Sequence, residues 1–357
     1  MDEIPTPRPY QASALNNIQD LYPEQNRLLI AHATGLGKGL IPIWLAQEYP
    51  THVKQHGLLF IAHRRKILFQ AYERFQNAFG DDLWIGLEMG ENEVTGHEDA
   101  IFMSIDSVGR VYQQRIRKYR DRDFGIILTD ESHHLAQESK WDRVLNFFGV
   151  GSDQSRQREI EVKGYKCNPL AVHLTATPED QMAPFVDQTA HTMSVLEGIE
   201  RGWLTDIKSY HVKGADGVEG LVNAYERYLE GERAMIFASS VDESVEVMRT
   251  LNESGVANAA HIDAETPKDR RSDIYDAFEA GVIGALSNRL VMTEGTDLPC
   301  MTAMLDNAPS QEQRVATQKW GRLVRPHPDA MPPGTSYPDL GLHRSNSPTP
   351  LTASYFR

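Results

Sequence analysis

Residues 31–40 read Ala-His-Ala-Thr-Gly-Leu-Gly-Lys-Gly-Leu. Glycines at 35 and 37 let backbone N–H groups close around an oxyanion, and Lys38 adds a cation. The apolar run LIPIWLAQEY that follows supplies a helix whose N-terminus favours negative charge. This is phosphate-binding chemistry: Thr34, Gly35, Leu36 and Gly37 make the turn, and Lys38 reaches the outer phosphates of a nucleotide. The next position departs from the pattern. A phosphate loop ordinarily carries Ser or Thr after Gly-Lys, whose hydroxyl holds Mg²⁺; here Gly39 stands there. Taken alone, the stretch also reads as a glycine-rich strand-to-helix turn with an incidental lysine.

Two further stretches carry reactive side chains. FGIILTDESHHL (124–135) is an apolar strand ending in Asp130-Glu131, and ligands gather at the carboxyl edge of a parallel sheet. Asp130 is placed to hold Mg²⁺ directly or through water, and Glu131 to polarise a water in line with a γ-phosphate; an ordinary acidic turn is the alternative. His133-His134 are adjacent and lack metal-ligand spacing, so His133 reads as a contact between halves of the protein. LAVHLTATPED (170–180) is a strand ending in Thr175-Ala176-Thr177, which Pro178 stops.

The elements that must position these residues repeat. LLIAHA, GLLFIAH, AIFMSID, FGIILTD and LAVHLTA are short continuous apolar runs, the habit of strands buried on both faces of a parallel sheet. Between them lie helical spacings, as in RRKILFQAYERFQNAF, where Ile67, Leu68, Tyr72 and Phe75 share a stripe. The alternation predicts a doubly wound α/β domain over 1–205, with the polar, aperiodic segment 151–168 as a surface insertion. It restarts with RAMIFAS (233–239), VANAAHI (256–262), GVIGALSN (281–288) and TAMLDNA (302–308), separated by helical stretches 242–253 and 268–280. A second α/β unit over 206–328 follows, without a second phosphate loop. Residues 329–357, rich in Pro, Ser, Gly and His, read as a disordered tail.

Bulk properties bound the rest. The chain has 357 residues, enough for two cores, with 40% hydrophobic and 24% charged residues, a globular composition. Two cysteines, Cys167 and Cys300, cannot build a disulfide framework or a zinc cluster. No apolar run reaches membrane-span length, and the acidic start MDEIPTPRPY is no signal peptide; a soluble protein of the cytoplasm, away from membranes, is the expectation. The net charge of −14 argues against coating nucleic acid with the whole surface, yet allows a local basic groove.

Lys38, DESH and TATP, in that order, resemble motifs I, II and III of superfamily 2 helicases, the DEAD/DEAH-box group. RPYQ (8–11) is similar to the upstream adenine-recognition motif, FIAHRRKIL to motif Ia, and MSIDSV to the strand-contact motif after it. MIFASSVDE resembles motif IV, LVMTEGTDLP motif V, and QKWGRLVRP the Gln-x-x-Gly-Arg-x-x-Arg of motif VI at Gln318, Gly321, Arg322 and Arg325. IERGWLTD is similar to the segment entering the second domain. The nearest groups are the motors of type I and III restriction enzymes and Rad25-type DNA helicases.

The resemblance implies two RecA-like domains, each a mainly parallel sheet flanked by helices, closing on one ATP with Mg²⁺. Arg8 and Gln11 would contact the base, and Gly295 and Asp297 would assist at the ribose or couple the lobes. Arg322 and Arg325 would be arginine fingers on the γ-phosphate, phased by Gln318. Thr175 and Thr177 would couple the nucleotide to the track together with His133. Arg64, Arg65 and Ser104 in the first lobe and Ser239, Ser240 and Thr293 in the second would touch a nucleic-acid backbone, predicting sequence-independent, salt-sensitive binding. Restriction motors also imply partner subunits. Three functions compete: an ATP-dependent DNA translocase or helicase, a nucleotide-responsive clamp or scaffold impaired in hydrolysis by Gly39, and a metabolic α/β enzyme, which leaves the motif order unexplained.

Overall fold

A computed structural model describes residues 4–109, 115–210, 212, 217–289, 298, 300–308, 319, 321, 323, 324 and 351–354. The chain divides into two compact units, residues 1–194 and 195–357. The boundary falls earlier than the 205 expected from sequence. The segment 195–205 goes with the second unit, where the Thr205 N–H donates to the Val324 carbonyl at 2.7 Å.

In the first unit the elements run in order: α1 (Pro9–Leu21), β1 (Arg27–His32), α2 (Ile41–Glu48), α3 (Pro50–His56), β2 (Leu58–Ala62), α4 (Arg65–Phe79), β3 (Ile85–Glu88) and β4 (Ala100–Ser104). Then come α5 (Ile105–Val108), β5 (Ile126–Thr129), α6 (Lys140–Phe147), β6 (Ile160–Val162), β7 (Tyr165–Cys167), β8 (Leu170–Thr175) and β9 (Gln188–Met193). Seven strands form one sheet in the order β3-β4-β2-β5-β8-β1-β9, parallel throughout. Strands β1, β2, β4, β5 and β8 are buried along their whole length, as the continuous apolar runs require. One layer, on the side of α1, α2 and α4, packs Leu28, Ile30, Phe60, Phe102 and Leu128. The opposite layer packs Leu29, Leu59, Ile61, Met103 and Ile127, the period-two alternation of a sheet covered on both faces.

The expected stripe of α4 is present: Leu68, Ala71, Phe75 and Ala78 are buried, with Ile67 and Tyr72 packed against the same layer. The insertion 151–168 has more order than its sequence suggests. Its second half is an antiparallel hairpin of β6 and β7 that turns the buried side chains of Ile160 and Val162 inward.

The second unit contains α7 (Val195–Glu200), β10 (Lys208–Tyr210), α8 (Gly217–Tyr228), β11 (Ala234–Phe237), α9 (Val241–Glu253) and β12 (Ala259–Ile262). It continues with α10 (Lys268–Glu279), β13 (Ala285–Asn288), β14 (Ala303–Asp306) and β15 (Leu351–Ser354). Its six-stranded sheet is ordered β10-β15-β14-β11-β13-β12, again parallel. The reading of 329–357 as disordered is corrected at one point: Leu351–Ser354 pair with β14 and β10. Backbone pairing with two neighbours gives this short segment a place that composition alone conceals. Among the described residues no helix is long and apolar enough to cross a membrane.

Candidate nucleotide-binding site

Topology brings three loops together. Strand β8 lies between β5 and β1, and in register Ala31 faces Thr175 while Thr129 faces His173. The phosphate loop, the Asp130-Glu131 pair and Thr175-Thr177 therefore leave the same sheet edge from three neighbouring strands, spanning about 10 Å at ordinary strand spacing. Parallel strands deliver all three at their carboxyl ends.

The phosphate loop turns on two glycines in the left-handed region, Gly35 at φ 89° and Gly37 at φ 72°, where a side chain would be strained. Lys38 opens a short 3₁₀ turn that runs into α2. Its Nζ donates to the His32 carbonyl at 2.7 Å and the Ala33 carbonyl at 3.3 Å. The loop is clasped from α1. Tyr10 Oη and Gln11 Nε2 both donate to the Leu36 carbonyl, at 2.9 and 3.1 Å, and Gln11 Oε1 accepts the Arg8 N–H at 2.9 Å. Gln11 thus holds the loop with its amide and still has one N–H and one lone pair for a base.

Asp130 is almost wholly buried. Burial pushes its carboxyl up, opposed by the nearby Lys38 ammonium and by the Glu131 N–H, which donates to Oδ1 at 2.8 Å. Glu131 has φ 53°, a left-handed conformation uncommon outside glycine, at the start of the 3₁₀ turn Ser132–His134. Its carboxylate lies 3.4 Å from His133 Nδ1, and His133 Nδ1 is 3.4 Å from Thr175 Oγ1. The Thr177 N–H donates to Thr175 Oγ1 at 3.1 Å, while Thr177 Oγ1 is buried without a hydrogen-bond partner among the described residues. His133 therefore links the acid pair to the Thr175 segment inside the first unit.

The donor set here, a glycine turn, a lysine and a carboxylate whose ionised form a cation would favour, suits a triphosphate. Asp130 would be the residue to hold Mg²⁺, which would screen the phosphate charge, while Gly39 offers no side-chain oxygen to it.

The expected nucleic-acid residues of this unit leave the sheet beside β5, from β2 and β4, whose ends meet at Ala62 and Ser104. Arg65 is exposed, Ser104 is buried, and Arg64 is half-buried. Burial lowers the Arg64 guanidinium, and the Glu131 carboxylate opposes that shift, so Arg64 lies within electrostatic reach of the acid pair.

In the second unit, Ser239 and Ser240 are exposed after β11. Ser240 is the N-cap of α9: its Oγ accepts the Glu243 N–H at 3.0 Å, and the Glu243 carboxylate accepts the Ser239 N–H. The serine-to-glutamate spacing of a capping box is the sequence signal for this role. Thr293, Gly295, Asp297, Gln318, Arg322 and Arg325 lie outside the described residues.

Sequence reasoning missed Lys319. It is fully buried, its Nζ 2.9 and 3.2 Å from the Asp306 carboxylate, 2.6 Å from the Ala308 carbonyl and 4.5 Å from the Phe237 ring centre. Its only signal was a lysine at one of the unassigned positions of QKWGRLVRP. A serine–histidine–aspartate arrangement also appears: Ser244 Oγ is 2.7 Å from His261 Nδ1, whose Nε2 is 3.3 Å from Asp263. Ser244 is fully buried and 2.7 Å from Ser287 Oγ, so no substrate can meet it and the set is structural.

The fold and this edge define a two-unit, parallel-sheet nucleotide-binding protein with a phosphate loop. Residues 4–180 match the family described as type III restriction enzyme, res subunit, and residues 218–327 match the helicase conserved C-terminal domain. A Schizosaccharomyces pombe protein provisionally named a mitochondrial ATP-dependent helicase, irc3, is 24% identical over 347 residues, covering 90% of this chain and 55% of its own. A fragment of a Vibrio vulnificus YJ016 protein, provisionally assigned as the HsdR subunit of a type I restriction enzyme, shares the fold at TM-score 0.67. It is 18% identical, over 98% of this chain and 64% of that one. S. cerevisiae Dbp5 bound to RNA and ADP BeF3 shares it at TM-score 0.63, 14% identical, over 98% and 84%. The chain belongs to helicase superfamily 2. It spans about half the length of the curated relatives it matches.

Proposed function

We propose that this protein is an ATP-dependent nucleic-acid translocase or helicase acting on DNA. Convergence of Lys38, Asp130-Glu131 and Thr175 at one sheet edge carries the reading. Lys38 would bind the outer phosphates, Asp130 the metal, and Glu131 the attacking water. Arg322 and Arg325, phased by Gln318, would supply positive charge to the transition state, with Gly295 and Asp297 assisting nearby. Bound Mg²⁺ would screen the phosphates and polarise the γ-phosphoryl group. His133 and Thr175 join the acid pair to the third loop, and Arg64 lies between the acids and the β2–β4 edge. A change at the γ-phosphate would thus be felt where Arg64, Arg65 and Ser104, and in the second unit Ser239, Ser240 and Thr293, meet the backbone. Restriction-enzyme kinship favours DNA over RNA and suggests partner subunits.

The test is ATP hydrolysis alone and with single-stranded DNA, duplex DNA or RNA, with Lys38→Ala as the blank. Polymer-stimulated turnover abolished by Lys38→Ala supports a motor; turnover indifferent to every polymer and to Lys38 defeats it. Gly39 favours a second reading, a nucleotide-responsive clamp with little hydrolysis. Tight nucleotide-dependent DNA binding without stimulated turnover would select it.

A further inference from the structure

Position 39 has no side chain, and another residue fills the space above it. A Cβ built on Gly39 would lie 2.7 Å from Arg74 Nη1, closer than real Cβ atoms approach another heavy atom. The Arg74 guanidinium, the far end of a flexible side chain on α4, therefore lies against the position a Ser or Thr side chain would take, and such a side chain would displace it. Arg74 is exposed, and among the described residues it has no ion pair or hydrogen bond.

We propose that Arg74 is a phosphate-binding residue of this loop. The hydroxyl usual at this position acts through a metal. A guanidinium offers forked donors that match phosphate oxygens directly. Arg74 and Lys38 together neutralise the outer phosphates of a nucleotide, so binding depends on Mg²⁺ less than in loops carrying the hydroxyl. Gly39 is then the opening that admits Arg74 rather than a defect. This rests on the nucleotide site proposed above and deepens it.

The test measures ATP and ADP affinity by titration calorimetry in EDTA and in MgCl₂, for the unaltered protein and for Arg74→Ala, Arg74→Lys, Gly39→Thr and Lys38→Ala. The unaltered protein should bind in EDTA within about tenfold of its affinity in Mg²⁺. Arg74→Ala should weaken binding in EDTA by about tenfold or more, the effect of losing a charge-assisted hydrogen bond, with a smaller change in Mg²⁺. Arg74→Lys, keeping the charge without the fork, should fall between. Gly39→Thr, whose side chain pushes Arg74 away, should lose affinity in EDTA and keep it in Mg²⁺. Arg74→Ala binding in EDTA as well as the unaltered protein overturns the proposal, as does an unaltered protein that loses more than about tenfold in EDTA. Lys38→Ala with unchanged affinity in both buffers instead overturns the nucleotide site itself, a separate result.

Discussion

Asp306→Asn tests the buried pair that Asp306 makes with Lys319. Asp306 and Lys319 have side-chain exposures of 7% and 0%, at 2.9 Å. At an effective dielectric constant of ~20, charges that close attract by about 6 kcal/mol, and breaking such a pair while leaving one charge buried costs about 3–5 kcal/mol. The folded variant has an escape: Lys319 can lose its proton. With an unfolded lysine near 10.4, that caps the loss at about 4.6 kcal/mol at pH 7 and about 1.9 kcal/mol at pH 9. Burial already holds the Lys319 ammonium below the usual lysine value, with Asp306 opposing the shift; losing Asp306 deepens it. The unfolded state then binds the extra proton, so the variant gains stability as pH rises. Urea unfolding at pH 7 and pH 9, with hydrogen exchange at pH 7 assigning the loss to β11, β13 and β14, reads this directly. A deficit below about 1 kcal/mol, or one equal at both pH values, would refute a dry pair.

Two further outcomes follow from the first unit. His173 is fully buried, 2.8 Å from Thr129 Oγ1, and burial, helped by Arg27, lowers it to about 4. It folds neutral, so its contribution is complete above about 6.5 and is lost as pH falls toward 4, up to about 3 kcal/mol. His173→Gln should flatten the urea-midpoint profile between pH 7 and 4.5, and parallel profiles would count against this. Gln11→Ala removes one of two donors to the Leu36 carbonyl and the acceptor for the Arg8 N–H. It should weaken ADP binding about tenfold by loosening the loop; unchanged affinity would show that Tyr10 alone suffices.

In the first unit the strands legible in sequence are those buried on both faces, because their apolar runs are continuous. Strands β3 and β9 were not: they lie at the sheet edges, and their burial is interrupted, with Ile85 and Leu87 half-covered in the first. Strand β15 was hidden because its pairing is with β14 and β10, far back along the chain. Within the site, Lys38, Asp130, Glu131 and Thr175 were legible because each ends or follows an apolar run. Arg74 was not. It sits on the exposed face of α4, and only the folded backbone places its guanidinium over Gly39.

The order β4-β2-β5-β8-β1 gives the acid pair a particular position. The loops after β8 and β1 carry Thr175-Thr177 and the glycine-lysine turn, Arg64 follows β2, Ser104 ends β4, and β5 stands between the two sets. Glu131 is the residue on that divide held in a left-handed backbone conformation, with His133 on one side and Arg64 within electrostatic reach. On the proposed function, keeping both within range means that a charge change at bound phosphates would alter the field at Arg64. Coupling between nucleotide and track, as proposed above, would then begin electrostatically inside the first unit.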